Sequence, residues 1–396
     1  MLESVFPNKD LTKEQQEIFD KILSFSTQGL INKQKSVFQL NGDAGTGKSV
    51  ILTKLFLALE KDAQKDSLDN YFLVNHPELL KVYRENAGQF DSLRKNRFLR
   101  PTTFINRLHK LNKTADVVVI DEAHLLLSES DHYNNFTQKN QLEEIIKLSK
   151  VVILVFDEHQ VLKMKSYWSQ SLLDQIINKL NVVYTKSTLK TQMRMQAPQR
   201  ILNWINDLTN KQELDSIEKI NPEYLTLNTK YDFRVYQNAE TMYQTLKSKN
   251  KELGESRIVS TADYPSTLDG KKHYVTEGKF HLPWDQYNYS NITWAQKPET
   301  INEIGSIYTV QGFDLQYVAV IIGPSVTYAG SNKIQVDIDK YEDQEAFKKR
   351  HDNDIANLTT SKKQIILNSI NVLLKRGIKG CFIYFHDPAI YEYLKK

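Results

Sequence analysis

Gly42-Asp43-Ala44-Gly45-Thr46-Gly47-Lys48-Ser49 is the stretch that decides the fold. The apolar run Val37–Leu40 leads into it, and a helical pattern, Val50–Leu59, follows at once. The spacing is G-x4-G-K-S in the strand–loop–helix setting of a phosphate-cradling loop. Each residue type has a physical reason. Glycines let the backbone wrap closely with its N–H groups pointing inward. The helix that follows offers an anion-binding N-terminus. Lys48 is expected to reach the β- and γ-phosphates, and Ser49 to place its hydroxyl on Mg²⁺. All eight residues are therefore candidate contacts for a nucleoside triphosphate, ATP first among them.

Such a loop needs a carboxylate for the metal, and hydrolysis needs a second to activate water. Two strand ends compete. Val117-Val118-Val119-Ile120 runs into Asp121-Glu122-Ala123-His124, and Val151–Phe156 runs into Asp157-Glu158-His159-Gln160. The first is an uninterrupted apolar run, as a central parallel strand should be. Asp121 is thus the expected metal ligand, and Glu122 the group that orients and deprotonates water. The second end then acquires another role. Gln160 can hydrogen-bond a γ-phosphate oxygen or the attacking water, and Asp157 can orient that loop.

Around these motifs, apolar strand-like runs alternate with helical patterns, which predicts an α/β fold with parallel sheets. Further strands are expected at Ser36–Leu40, Tyr71–Val74, Ile258–Ser260, Val318–Ile322 and Cys381–Phe385, and helices at Lys13–Phe25, Gln141–Lys147 and Ala197–Leu208. Two polar stretches, Ser128–Lys139 and Ser325–Thr360, read as solvated loops. The chain has 396 residues, enough for two or three domains. Its net charge of +4 permits a polyanionic partner without requiring one. A single cysteine, Cys381, excludes an internal disulfide framework and any Cys-based zinc site. The start MLESVFPNKD lacks the basic and apolar regions of a signal peptide. No apolar stretch approaches the ~18 residues of a membrane span. The expectation is a cytoplasmic protein without a membrane partner.

Together these residues resemble a superfamily 1 helicase core, and within that class the Schlafen-type group of DNA/RNA helicase domains. The resemblance runs from about Leu11 to Pro388. Leu11-Thr12-Lys13-Glu14-Gln15 looks like the Q motif, which implies that Gln15 reads the adenine edge. Gly42–Ser49 matches motif I and Asp121–His124 motif II. Phe72-Leu73-Val74-Asn75-His76-Pro77 looks like motif Ia, and Arg100-Pro101-Thr102-Thr103-Phe104 stands where the next strand-contacting motif falls. Asp157–Gln160 looks like motif III, with Phe156 where a glycine is usual. Leu189-Lys190-Thr191-Gln192-Met193-Arg194 looks like motif IV. Ser306–Asp314 resembles motif V and contains Gln311 and Gly312. Asn371–Gly377 looks like motif VI, with Lys375 where many relatives carry threonine.

The resemblance implies two tandem RecA-like P-loop NTPase domains, residues 1–186 and 187–396, with ATP in the cleft between them. It makes Arg194 and Arg376 arginine fingers and places Gln311 and Gly312 at the nucleotide. Planar guanidinium donors suit the charge that develops on a transferring phosphoryl group. Single-stranded DNA or RNA is the implied partner, with Asn75, Thr102, Thr103 and Thr309 as contacts by motif position. Tyr264, Trp284 and Trp294 can stack bases but read better as core. The gap between motifs Ia and III is too short for the large insertions of processive unwinding enzymes. That leaves a second reading open, an ATP-driven switch that acts on a protein partner without separating strands. A nucleotide-binding module without turnover is a third, opposed by Glu122 and the two arginines. A P-loop kinase leaves motifs IV to VI without a role.

Overall fold

A strand that is apolar at every position must be covered on both faces, because successive side chains point to opposite sides. The run Val117–Ile120 poses that problem, and the computed structural model shows its solution. The structure describes residues 10–396 except 43–44, 133–134, 192–194, 218–222, 228, 267–270, 287, 289–291, 311–312 and 349–357, with only the backbone at 62, 64–66, 78, 158 and 165.

The first half is a six-stranded parallel sheet. Its strands are β1 (Ser36–Gly42), β2 (Tyr71–Val74), β3 (Phe98–Leu99), β4 (Ala115–Asp121), β5 (Ser149–Phe156) and β6 (Val183–Leu189). They stand in the order β3-β2-β4-β5-β1-β6. Helices α1 (Lys13–Ile31), α2 (Lys48–Asp66) and α3 (Pro77–Ala87) cover one face, and α4 (Pro101–Leu111), α5 (Gln141–Lys147) and α6 (Gln170–Leu180) the other. Val117 and Val119 enter the core beneath α1–α3 with Phe38, Phe56 and Phe72. Val118 and Ile120 enter the opposite core with Phe104, Ile145 and Ile177. Register brings the strand ends together: Gln39 is level with Leu154, and Leu154 with Ile120. Gly42, Asp157 and Asp121 therefore emerge along one edge of the sheet.

The second half is an eight-stranded sheet in the order β10-β11-β12-β9-β13-β16-β8-β7. Chain order gives α7 (Gln199–Asn206), β7 (Tyr224–Thr226), β8 (Asp232–Tyr236), α8 (Ala239–Leu253), β9 (Arg257–Ser260), β10 (His273–Glu277), β11 (Phe280–Trp284), β12 (Ile304–Gly305), α9 (Ile307–Val310) and β13 (Leu315–Ile322). There follow β14 (Val326–Gly330), β15 (Lys333–Val336), α10 (Leu358–Leu374), β16 (Gly377–Phe385) and α11 (Pro388–Leu394). The interior strands are parallel, while β7 and β10 are antiparallel edges. Tyr264, Trp284 and Trp294 are all buried in this core.

Beyond the expected strands the structure adds β3, β6, β7, β8, β10, β11, β12, β14 and β15, and three stretches show why. β6 was not foreseen because its residues alternate between exposed and partly buried, as on an edge, and form no apolar run. It continues to Leu189, past residue 186 where the sequence placed the boundary. The polar stretch Ser325–Thr360 is not all loop: β14 and β15 pair as a hairpin. Val326, Ile334 and Val336 are buried there, spaced by polar residues that hid the pattern. In Ser128–Lys139, Phe136 is fully buried and exchanges backbone hydrogen bonds of 3.0 and 2.8 Å with Asp131.

The halves are tied by Met164 N donating to Ala346 O (2.8 Å) and Asn368 Nδ2 donating to Val161 O (2.9 Å). Phe72 sits at the centre of the first half's aromatic cluster, with ring centroids 5.4 Å from Phe56 and 4.7 Å from Tyr83. Phe72→Ala should cost about 3–5 kcal/mol in chemical denaturation, because a fully buried ring leaves a cavity. A loss within the range of a surface substitution would contradict this packing.

Candidate nucleotide site

The loop is built by two constraints. Gly47 has φ +85°, a left-handed conformation, and a Cβ there would strike Gln15 Nε2. Glycine is therefore required twice over. The second constraint is Gln15 itself, which is buried near the start of α1. Its Oε1 accepts from Thr12 N (3.0 Å) while Thr12 Oγ1 accepts from Gln15 N (3.3 Å), a reciprocal helix cap. Its Nε2 donates to Thr46 O (3.2 Å). Gln15 thus holds the loop backbone directly. Gly42 to Ser49 stand in the strand–loop–helix order expected of them, except that Asp43 and Ala44 lie outside the described residues.

Lys48 is the first residue of α2 and is 8% exposed. Its Nζ donates to Gly42 O (2.5 Å) and lies 3.8 Å from Asp157 Oδ2. Burial pushes the Asp157 carboxyl up, but the Lys48 charge and the Gln160 hydrogen bond outweigh it and hold it below the usual value. Gln160 Nε2 donates to Asp157 Oδ2 (2.6 Å), and His159 N to Oδ1 (3.1 Å). Gln160 is thereby fixed beside the end of β1. A cavity of about 400 Å³ opens here, lined among others by Asn41, Gly42, Asp157, His159 and Lys190.

Asp121 ends β4 at 1% exposure. Its Oδ2 accepts from the Tyr83 hydroxyl (2.5 Å), and its Oδ1 from Glu122 N (3.0 Å). The Ser49 hydroxyl is near enough to favour the ionised carboxylate and partly offsets its burial. Burial first, then the neighbouring Glu122 charge, push the Asp121 carboxyl up to about 6. Two oxygen groups of the kind that bind Mg²⁺ thus meet beside the loop. The described residues hold no cluster of three or more acidic, His or Cys ligands. Glu122 has φ +53°, a strained backbone for a non-glycine residue, and turns out of the strand.

Two neighbours of this pair carry no assigned role in the sequence reading: Tyr83 lies outside every motif, and His124 only closes motif II. Tyr83 comes from α3, which starts at Pro77 behind the cap of His76, and no motif spacing points to it. His124 is fully buried, and burial pulls its imidazole down to about 4, so it is neutral at pH 7. Its Nε2 lies 3.3 Å from Glu122 Oε2, without hydrogen-bond alignment.

From the second half, Arg376 follows α10 at 2% exposure, and its Nη1 donates to Phe313 O (3.3 Å). Its charge contributes to holding the His124 imidazole down, after burial. Lys375 turns away to Asn206 Oδ1 (2.8 Å). Arg194, Gln311 and Gly312 lie outside the described residues. The chain entering that first segment is held by Glu14, whose carboxylate accepts from Lys190 N (2.8 Å) and Thr191 N (3.3 Å). Of the expected strand contacts, Asn75 donates to Leu125 O (2.6 Å), Thr102 accepts from Gln141 Nε2 (3.0 Å) and Thr309 donates to Ser306 O (2.8 Å). Thr103 is exposed.

Known proteins bear on this arrangement. The sequence profile described as Schlafen group 3, DNA/RNA helicase domain, matches residues 35–387. The uncharacterized protein YPL245W of Saccharomyces cerevisiae is 39% identical over 98% of this chain and 91% of its own length. Among solved structures, the Pif1 helicase from Candida albicans is 13% identical, covering 98% of this chain and 99% of that one at a TM-score of 0.37. The Aeropyrum pernix ORC2 protein is 12% identical over 47% and 51% of the two chains, at a TM-score of 0.29. Both structural likenesses are too distant to bear on function. Among the described residues, no helix is long and apolar enough to cross a membrane.

The raised Asp121 carboxyl has a sign that can be measured. The folded protein keeps this proton to about pH 6, while the unfolded chain releases it near 3.8, so the group costs stability as pH rises through that window. Asp121→Asn should stabilise the nucleotide- and metal-free protein at pH 7–8 by on the order of 2 kcal/mol. The gain should shrink toward pH 4. Thermal melts of both proteins across pH check it, and a gain independent of pH would contradict the assignment.

Proposed function

The chain belongs to the Schlafen group 3 DNA/RNA helicase domain family, and from that membership we propose that it is an ATP-dependent motor that moves along single-stranded nucleic acid. The observation that carries the reading is one sheet edge. Lys48, Asp121, Glu122, Asp157 and Gln160 converge there, with Arg376 of the second half close enough to be felt at His124.

In this reading the loop amides and Lys48 bind the β- and γ-phosphates. Ser49 and Asp121 would hold Mg²⁺, which would supply charge neutralisation at the phosphates. Glu122 orients the attacking water and takes its proton. Gln160 hydrogen-bonds the γ-phosphate or that water, already aligned by Asp157. Arg376, with Arg194, stabilises the charge that builds on the γ-phosphoryl oxygens. Gln311 and Gly312 complete the nucleotide contacts by motif position. Gln15 secures the loop through Thr46 and is well placed to meet the base.

The two halves form the mechanical units, with the boundary moved from residue 186 to the end of β6 at Leu189. Arginines from the second half favour a closed cleft only while the γ-phosphate is present. Hydrolysis therefore shifts the population between open and closed states. A strand gripped by both halves is then carried along, with Asn75, Thr102, Thr103 and Thr309 as backbone contacts. The second reading, a switch acting on a protein partner, is favoured by one feature. Between β9 and β12 the described residues add the β10–β11 hairpin and two short 3-10 turns, Trp294–Gln296 and Pro298–Asn302, too little for a strand-separating domain.

ATP turnover with and without single-stranded DNA or RNA tests the proposal. Stimulation by a strand is expected, while stimulation only by a protein partner favours the switch. Lys48→Ala and Glu122→Gln should each lower turnover roughly 100-fold or more. Arg376→Ala should lower kcat by about 1,000-fold with ATP still bound. Full turnover in Lys48→Ala would sink the reading.

A further inference from the structure

The hairpin β10–β11 presents two unlike faces. Val275, Glu277, Phe280 and Trp284 point inward and are buried. Phe280 packs edge-on against Tyr243 of α8, with centroids 5.6 Å apart. The outward residues are Tyr274, Thr276 and His281, all exposed, and Pro283, half-buried opposite Tyr274. Tyr274 keeps 40% of its surface in water, which is unusual for a large aromatic residue on a strand.

This outer face is already ordered. The Tyr274 and His281 rings lie parallel, with centroids 4.4 Å apart and planes 11° apart. Thr276 Oγ1 lies 2.8 Å from His281 Nδ1 and fixes the imidazole in that plane. Lys272 and Lys279 flank the pair and are exposed. Between residues 271 and 284 the single carboxylate is Glu277. It is turned into the core, where it accepts from Tyr384 (3.1 Å) and approaches His386 Nδ1 (2.8 Å). The outer face is thus aromatic and cationic, with no acidic side chain among these residues.

Register places it. His273 pairs with Trp284, and Trp284 is level with Ile304 of β12. Ser306 and Thr309 follow directly from β12. The Lys272–Tyr274 end of the hairpin therefore lies at the sheet edge from which Thr309 emerges.

We propose that the outer face of the β10–β11 hairpin is a contact site for single-stranded nucleic acid, with Tyr274 and His281 stacking a base and Lys272 and Lys279 meeting its phosphates. The proposal rests on the single-strand reading above and names a contact outside the motif residues. A flat preassembled ring pair flanked by cations is the chemistry that binds a strand with little regard for sequence. A protein partner of opposite charge is the competing occupant.

Fluorescence anisotropy of the full chain with labelled oligo(dT) and oligo(U) tests this. Tyr274→Ala should weaken binding roughly 5- to 100-fold, the range for loss of one stacked base. Tyr274→Phe should keep the affinity, since the ring remains. Lys272→Glu with Lys279→Glu should flatten the dependence of log Kd on log salt by about 0.7 for each lost phosphate contact. Thermal melts confirm that each variant is folded. Unchanged affinity in Tyr274→Ala, with the wild type binding both strands, overturns the hairpin proposal alone. Failure of the wild type to bind either strand at low salt overturns the single-strand reading as well. Loss of a protein partner by Tyr274→Ala with strand affinity intact also overturns the hairpin proposal.

Discussion

A buried ammonium surrounded by buried carboxylates governs this structure. Lys48 lies against Gly42 O and Asp157 at one end of the loop, with Asp121 and Glu122 on the neighbouring strand end. Burying a charge is costly unless it is paired and hydrogen-bonded. Here the pairing is incomplete in a chemically specific way. Burial first, and then the neighbouring Glu122 charge, push Asp121 toward its protonated form, while Lys48 and the Gln160 hydrogen bond hold Asp157 ionised. In the proposed function a divalent cation beside Asp121 would offset that carboxylate's burial.

The rest of the first half holds that charge set in place. Parallel strands deliver Gly42, Asp157 and Asp121 to one edge because β5 lies between β1 and β4 in register. Helices on both faces allow the strands to be apolar at every position, which leaves the polar groups to the ends. α1 contributes through Gln15, which ties Thr46, and through Glu14, which ties the segment after β6. One helix thus links the phosphate loop to the crossing into the second half. The second half answers with Arg376, carried on the turn between α10 and β16 and pinned to Phe313 O.

Legibility in the sequence follows the same physics. The central strands of the first sheet, with β9, β13 and β16 of the second, could be read from their apolar runs, whereas the interior β8, β11 and β12 could not; the loop could be read because its glycines, lysine and serine are each required. Edge elements could not. β6 and the β14–β15 hairpin mix polar with apolar residues, since only one side of each is covered. Tyr83 was invisible for a different reason. It reaches Asp121 across 38 positions of chain from a helix whose own pattern speaks only of packing. Gln15 was noted for the adenine edge, and the structure adds the bond to Thr46 O that no spacing rule supplies. The left-handed backbone at Glu122 was equally unreadable.

In the proposed mechanism the γ-phosphate, by engaging Arg376, closes the second half over the first. The direct measurement is energy transfer between dyes on Ile31→Cys in α1 and Lys251→Cys in α8, two exposed positions in opposite halves. Cys381 is buried and leaves the introduced thiols as the reactive ones. Adding a non-hydrolysable ATP analogue should change the transfer efficiency, ADP should not reproduce the change, and Arg376→Ala should lose it while still binding the analogue. An unaltered response in Arg376→Ala, or bound analogue with no response in the parent, would contradict the claim.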